Sequence, residues 1–113
     1  MRDYFEIEAK IRLYDSDKGR KSFIKDGYRP HIYFGFSDPT NPHFSSDCII
    51  KLQDRFQLNP GESALVKILV LRFDHLDELL IRNVKIKIKE GIRFVGEGII
   101  TNRIGQIHKL VIS

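Results

Sequence analysis

Four histidines, one cysteine and a run of alternating lysines are the residues of this 113-residue chain whose types could do chemistry. His31, His43, His75 and His108 are far apart. None falls in the C-x-x-C or H-x-x-x-H spacing that grips a metal, so no metal site is expected. His75 has Asp74 and Asp77 beside it, the composition of an acid–base pair. Adjacency along a chain does not set a catalytic geometry, however, and a solvated loop cluster has the same composition. Cys48 opens an apolar stretch and reads as a small core residue rather than a nucleophile. The glycines of Val95-Gly96-Glu97-Gly98 lack the strand–loop–helix setting that cradles phosphate. Lys85, Lys87 and Lys89 form a one-sided stripe, the ordinary solvated face of a strand. It would track phosphates only beside a second basic strand. No catalytic residue and no cofactor follow from these patterns, and the chain reads as a non-enzyme.

The elements that must position these residues are legible from composition and period. A chain of 13.2 kDa has the size of one domain and buries roughly two-thirds of its unfolded surface, enough for one core. With 42% hydrophobic and 30% charged residues it has the make-up of a soluble globular protein. The N-terminus alternates charged and apolar residues, as neither a signal peptide nor an anchor does, and no apolar run reaches the roughly 20 residues that span a bilayer. A single cysteine fits a reducing compartment, and a cytoplasmic location is expected. The net charge of +4 permits a phosphate partner without requiring one.

Period two dominates. Phe5, Ile7, Ala9, Ile11 and Leu13 alternate with Glu6, Glu8, Lys10 and Arg12, the pattern of a half-buried strand. His31–Phe36 is a second strand and Cys48–Leu52 a third. Asn59-Pro60-Gly61-Glu62 has the residues of a type II turn. Ala64–Phe73 is a longer apolar strand, expected to be buried on both sides. Leu76, Leu79 and Leu80 have helical spacing but support at most a short turn. Val84, Ile86 and Ile88 alternate with the lysine stripe, and a two-residue Glu90-Gly91 link leads into the last strand, from Ile92 to Ile104. Gly96 and Gly98 within it are expected at a bend or close backbone approach, as closure of a small barrel requires. Six antiparallel strands without a long helix predict an all-β, closed six-stranded barrel in a single domain over residues 1–113.

The stretch Asp-Gly-Tyr-Arg-Pro at residues 26–30 has a structural reading of its own. Gly27 supplies a positive φ, Pro30 starts a strand, Tyr28 packs its ring, and Arg29 serves as an ion-pair partner at the barrel end. Taken with Gly19-Arg20, Pro60-Gly61-Glu62 and Ile86-x-Ile88-x-Glu90-Gly91-x-Arg93-x-Val95-Gly96-x-Gly98, it also resembles, in order and spacing, the C-terminal third domain of elongation factor Tu. The resemblance covers about residues 5–105 and leaves 106–113 as a C-terminal extension. That family's domain is a six-stranded antiparallel barrel, in agreement with the period.

The resemblance implies a translation-related binding module whose Gly-Arg loop and Gly-Tyr-Arg-Pro corner meet the backbone of tRNA or a translation factor. Arg20, Lys21, Tyr28, Arg29, His31 and Gly105 are the residues it marks for RNA or partner binding. The chain departs from the family at residues 37–47, after Ile104, and at three further points. It has no G-x-x-x-x-G-K-[ST] loop, so no GTP is expected. His31 stands where the family has glutamine, and Lys21-Ser22-Phe23 where it has histidine-threonine-proline. These departures leave open a second reading, a regulatory module that reuses the barrel to bind a protein without RNA. The initiating Met and the strand-like Gln106–Ser113 are what a complete small protein would show. That last segment could add a strand to the barrel or to a neighbour, and the oligomeric state is open.

Overall fold

Alternation carries the first element. The apolar residues from Phe5 to Leu13 point to one side of strand β1 (Arg2–Leu13) and are buried, while Lys10 and Arg12 point to solvent. The computed structural model describes residues 2–34, 45–71 and 84–110, the side chains of 2 and 103–110 aside. The chain continues through β2 (Ile24–Lys25), β3 (His31–Tyr33), β4 (Ser45–Leu52), β5 (Gln57–Leu58), β6 (Ser63–Leu71), β7 (Lys85–Glu90) and β8 (Arg93–Leu110). The expected strands His31–Phe36 and Ala64–Phe73 extend beyond the described residues, as do the Leu76, Leu79 and Leu80 turn, His43 and His75.

The fold is all-β, with a closed six-stranded antiparallel barrel in the order β1-β6-β4-β3-β7-β8. Closure leaves the six strands without an open edge. The interior is filled rather than hollow. Ile7, Ile11, Ile50, Ile68, Ile86 and Ile88 are all essentially inaccessible, and each contributes about 1.5–3 kcal/mol by leaving water. A two-stranded ribbon stands outside the barrel order. β2 pairs with β5, placing Ile24 opposite Leu58, and both side chains enter the core.

The last strand closes on the first, and its glycines explain how. A Cβ on Gly98 would lie 2.6 Å from the carbonyl oxygen of Lys10, and one on Gly96 would lie 2.8 Å from that of Arg12. Only a residue without a side chain lets these backbones approach, as expected. The register slips once in the β7–β8 pair, so that Phe94 faces Lys89 while Gly96 faces Ile88.

Three expectations need correction. The β7–β8 link is Gly91-Ile92, with Glu90 and Arg93 paired across it, because the positive φ of 60° falls on the first loop residue, as a tight hairpin demands. β6 is buried on both sides only at Ile68–Val70. Towards its start Leu65 is 49% exposed, because that half faces outward on an uncovered wall. Residues 106–110 continue β8 rather than form a separate strand, and Ile107 and His108 pair with Phe5 and Tyr4.

Candidate functional site

The loop after β1 turns back on itself because the amides of Lys18 and Gly19 both bond the Asp15 carbonyl, each at 2.9 Å. This presents Arg20 to the β7–β8 hairpin. Its guanidinium donates to the Glu90 carboxylate, to the Ser22 hydroxyl at 3.0 Å, and to the carbonyls of Ser22 and Phe23 at 3.2 and 3.3 Å. It also lies 5.0 Å from the centre of the Tyr28 ring, within cation–π range. The Tyr28 hydroxyl donates to the same Glu90 oxygen, and Arg93 donates to the Gly19 carbonyl. Burial first, then the neighbouring carboxylate, pushes the Tyr28 phenol well above its usual range, so it remains a donor at any physiological pH. Residues from three of the sequence motifs thus meet in one knot.

The Gly-Tyr-Arg-Pro segment is held from the other side by β4. Tyr28 N–H bonds the Lys25 carbonyl at 3.1 Å, and Gly27 has φ of 86°, so Lys25–Tyr28 forms a turn that needs a glycine at its third place. Gly27 and Ile50 then bond, as do Ile50 and Tyr28, and Cys48 N–H reaches the Pro30 carbonyl at 3.2 Å. The Asp26 carboxylate accepts from the Leu52 amide at 2.8 Å. Every backbone bond in this set points Arg29 outward. It is exposed, and among the described residues no ion pair engages it; the barrel-end ion pair belongs to Arg20 instead.

Arg29 stands at the rim of a hollow of about 460 Å³ on the outer wall, with Lys51, Lys67, Glu6 and Leu69 around it. Lys51 and Lys67 are directly opposite in the β4–β6 register. Like charges facing each other across a ladder are unfavourable by a few tenths of a kcal/mol or more. A second hollow of about 250 Å³ lies on the other side of Arg29 and is bordered by His31 and Asp47. These two form a cross-strand pair, with His31 Nε2 2.8 Å from Asp47 Oδ1.

Of the residues marked from the sequence, Arg20 and Tyr28 meet in the knot, while Arg29 and His31 border the outer hollows. Lys21 is exposed on the loop, and Gly105 lies in β8 where the pairing with β1 changes register. Lys51 and Lys67 escaped notice because 16 residues separate them, and only the barrel register brings them together. Each is a polar interruption in an apolar run, which was the available signal.

Cys48 borders this corner but is closed off from solvent. Its Sγ lies 3.6 Å from the Pro30 carbonyl, and burial foremost, then Asp47, pushes its thiol far above the usual range. It is a core residue. Among the described residues no group of three or more His, Cys, Asp or Glu is placed to hold a metal, and no helix is long and apolar enough to cross a membrane. No protein-family model matches the chain.

Proposed function

We propose that the chain is a non-catalytic binding module of the elongation factor Tu third-domain type, and that its Gly-Tyr-Arg-Pro corner takes the phosphate backbone of a structured RNA, tRNA being the first candidate. The observation that carries this reading is the outward Arg29 beside the facing pair Lys51 and Lys67, three cations around one hollow in which Glu6 is the one described carboxylate. An anion seated there would offset the repulsion between the two lysines. Recognition would be by shape and charge, since side chains do not read the narrow major groove of A-form RNA. Arg20 and Tyr28 act as positioning residues for the corner, and Lys21 extends its charge.

The test is binding of unmodified tRNA to the full chain, followed by anisotropy at several salt concentrations. Replacing Arg29, Lys51 and Lys67 together by alanine should flatten the slope of log K against log salt by about two to three, with little change in melting temperature. An unchanged slope would remove the RNA reading.

A second reading is favoured by a specific observation. Ile92 and Phe56 are 96% and 94% exposed, and Ile92 tips the hairpin that Arg20 ties to the corner. Exposed apolar side chains beside a rigid corner suit a protein partner, consistent with the altered His31 and Lys21-Ser22-Phe23 positions. In that case Ile92→Ser abolishes capture of a translation factor while the triple alanine variant does not.

A further inference from the structure

We propose that the wall formed by β1, β8 and β7 is a second docking surface, for an extended acidic peptide carrying a bulky apolar side chain. The strand registers set Leu65, Lys10, Ile99 and Lys85 in one outward row, each directly opposite the next. Leu65 and Ile99 are 49% and 41% exposed. Aliphatic side chains thus flank a lysine on the solvent face of a barrel whose other apolar residues are largely inside.

A groove of about 480 Å³ is lined by three members of this row, Lys10, Ile99 and Lys85, together with Ile11, Arg12 and Gly98. Glu97 is the one carboxylate among its described lining residues. Arg12 is shared with Asp15, at 3.5 Å, which leaves Lys10 and Lys85 as the cations that face an incoming ligand without a described partner. Apolar side chains beside cations are complementary to a segment that is both acidic and apolar.

Other occupants fit less well. Among the described residues no aromatic ring lines the groove to stack a nucleic-acid base. A concave site this small holds one or two side chains rather than a membrane surface. Because the barrel is closed, the peptide cannot join as an added strand and must be held through its side chains. Lys10 and Lys85 are two strand spacings apart, about 10 Å, and alternate residues of an extended chain share a face, so carboxylates four positions apart, roughly 13 Å, come within reach of both lysine side chains. The geometry therefore calls for two carboxylates four positions apart, with leucine, valine or phenylalanine midway between them on the same face.

The experiment uses the full chain, labelled with nitrogen-15 and titrated with the peptide Ser-Glu-Val-Leu-Val-Glu-Ser, capped at both ends. The expected result is saturable shifts at Lys10, Glu97, Ile99 and Lys85 below about 1 mM. Lys10→Gln with Lys85→Gln should weaken binding about tenfold or more, and Ile99→Ser about fivefold. Both changes are at exposed positions, and a melting curve reports whether the fold persists. A peptide with serines in place of valine and leucine should not bind. The proposal is overturned by absence of saturation up to several millimolar, by shifts confined to the Arg29 corner, or by affinity indifferent to the lysine changes. A short RNA duplex that moves the same resonances more tightly than the peptide would overturn it too.

Discussion

Arg20 and Arg29 are nine residues apart, belong to the same corner, and are used in opposite ways. The Arg20 guanidinium is turned inward, with Glu90, Ser22 and the Phe23 carbonyl as partners and the Tyr28 ring beneath it. Arg29 is held outward by the ladder its neighbours make with β4, beside two lysines that face each other. The first region gains stability from its charges. The second gathers Arg29, Lys51 and Lys67 around one hollow that Glu6 also lines, with Glu8 opposite Lys67. Basic residues in a motif are therefore not equivalent ligands: one half of the motif builds the platform and the other half is presented by it.

The largest effect should come from the platform. Arg20→Ala removes a partly buried ion pair and leaves Glu90 and two carbonyls short of donors, a loss of about 2–4 kcal/mol in urea unfolding. If RNA binding fell while stability held, Arg20 would be a ligand and the contrast would collapse. Gly98→Ala probes the barrel seam independently, since its methyl would meet the Lys10 carbonyl oxygen at 2.6 Å. Backbone must shift to admit it, at about 1–3 kcal/mol, with no selective effect on the corner.

Tyr28→Phe should cost about 1–2 kcal/mol at neutral pH, by removing a hydrogen bond to a carboxylate. It also sharpens the contrast through pH. The phenol of Tyr28 is raised in the folded chain, so its contribution is fully present below the ordinary tyrosine value of 10.0 and is lost as pH climbs above it. Above about pH 10 the native protein should lose stability with a slope steeper by up to about 1.4 kcal/mol per pH unit than the phenylalanine variant. Parallel slopes would mean that the ring is not buried against Glu90.

The smallest effect belongs to the hollow. Lys67→Gln should change stability by no more than about 0.5 kcal/mol, because Lys67 faces Lys51 on one side and Glu8 on the other. A larger loss would show that the pairing with Glu8 outweighs the repulsion from Lys51.

The barrel was legible in the sequence wherever one face of a strand is dry and the other wet. β1 and β7 are such strands, and Gly96 and Gly98 announced the tight seam. Legibility failed where tertiary position decides exposure. Leu65 looks like core but lies on an open wall, and Ile24 and Leu58 look like loop and turn but enter the core. The hairpin was misplaced by one residue because Glu90-Gly91 and Gly91-Ile92 are equally good as composition, and only the pairing of Glu90 with Arg93 chooses between them. The candidate site was half legible. The motif marked the corner, but nothing local distinguishes an arginine that reaches back to Glu90, 70 residues ahead, from one that faces water. Lys51 and Lys67 become neighbours only through the β4–β6 register.

The most direct measurement of the division between platform and ligand surface is a side-chain nitrogen-15 titration of the full chain with tRNA, following arginine Nε and lysine Nζ resonances. The Arg29, Lys51 and Lys67 signals should move together and saturate, while the Arg20 signal stays in place with its exchange protection intact. Movement or loss of protection at Arg20, with Arg29 and both lysines silent, would contradict the account.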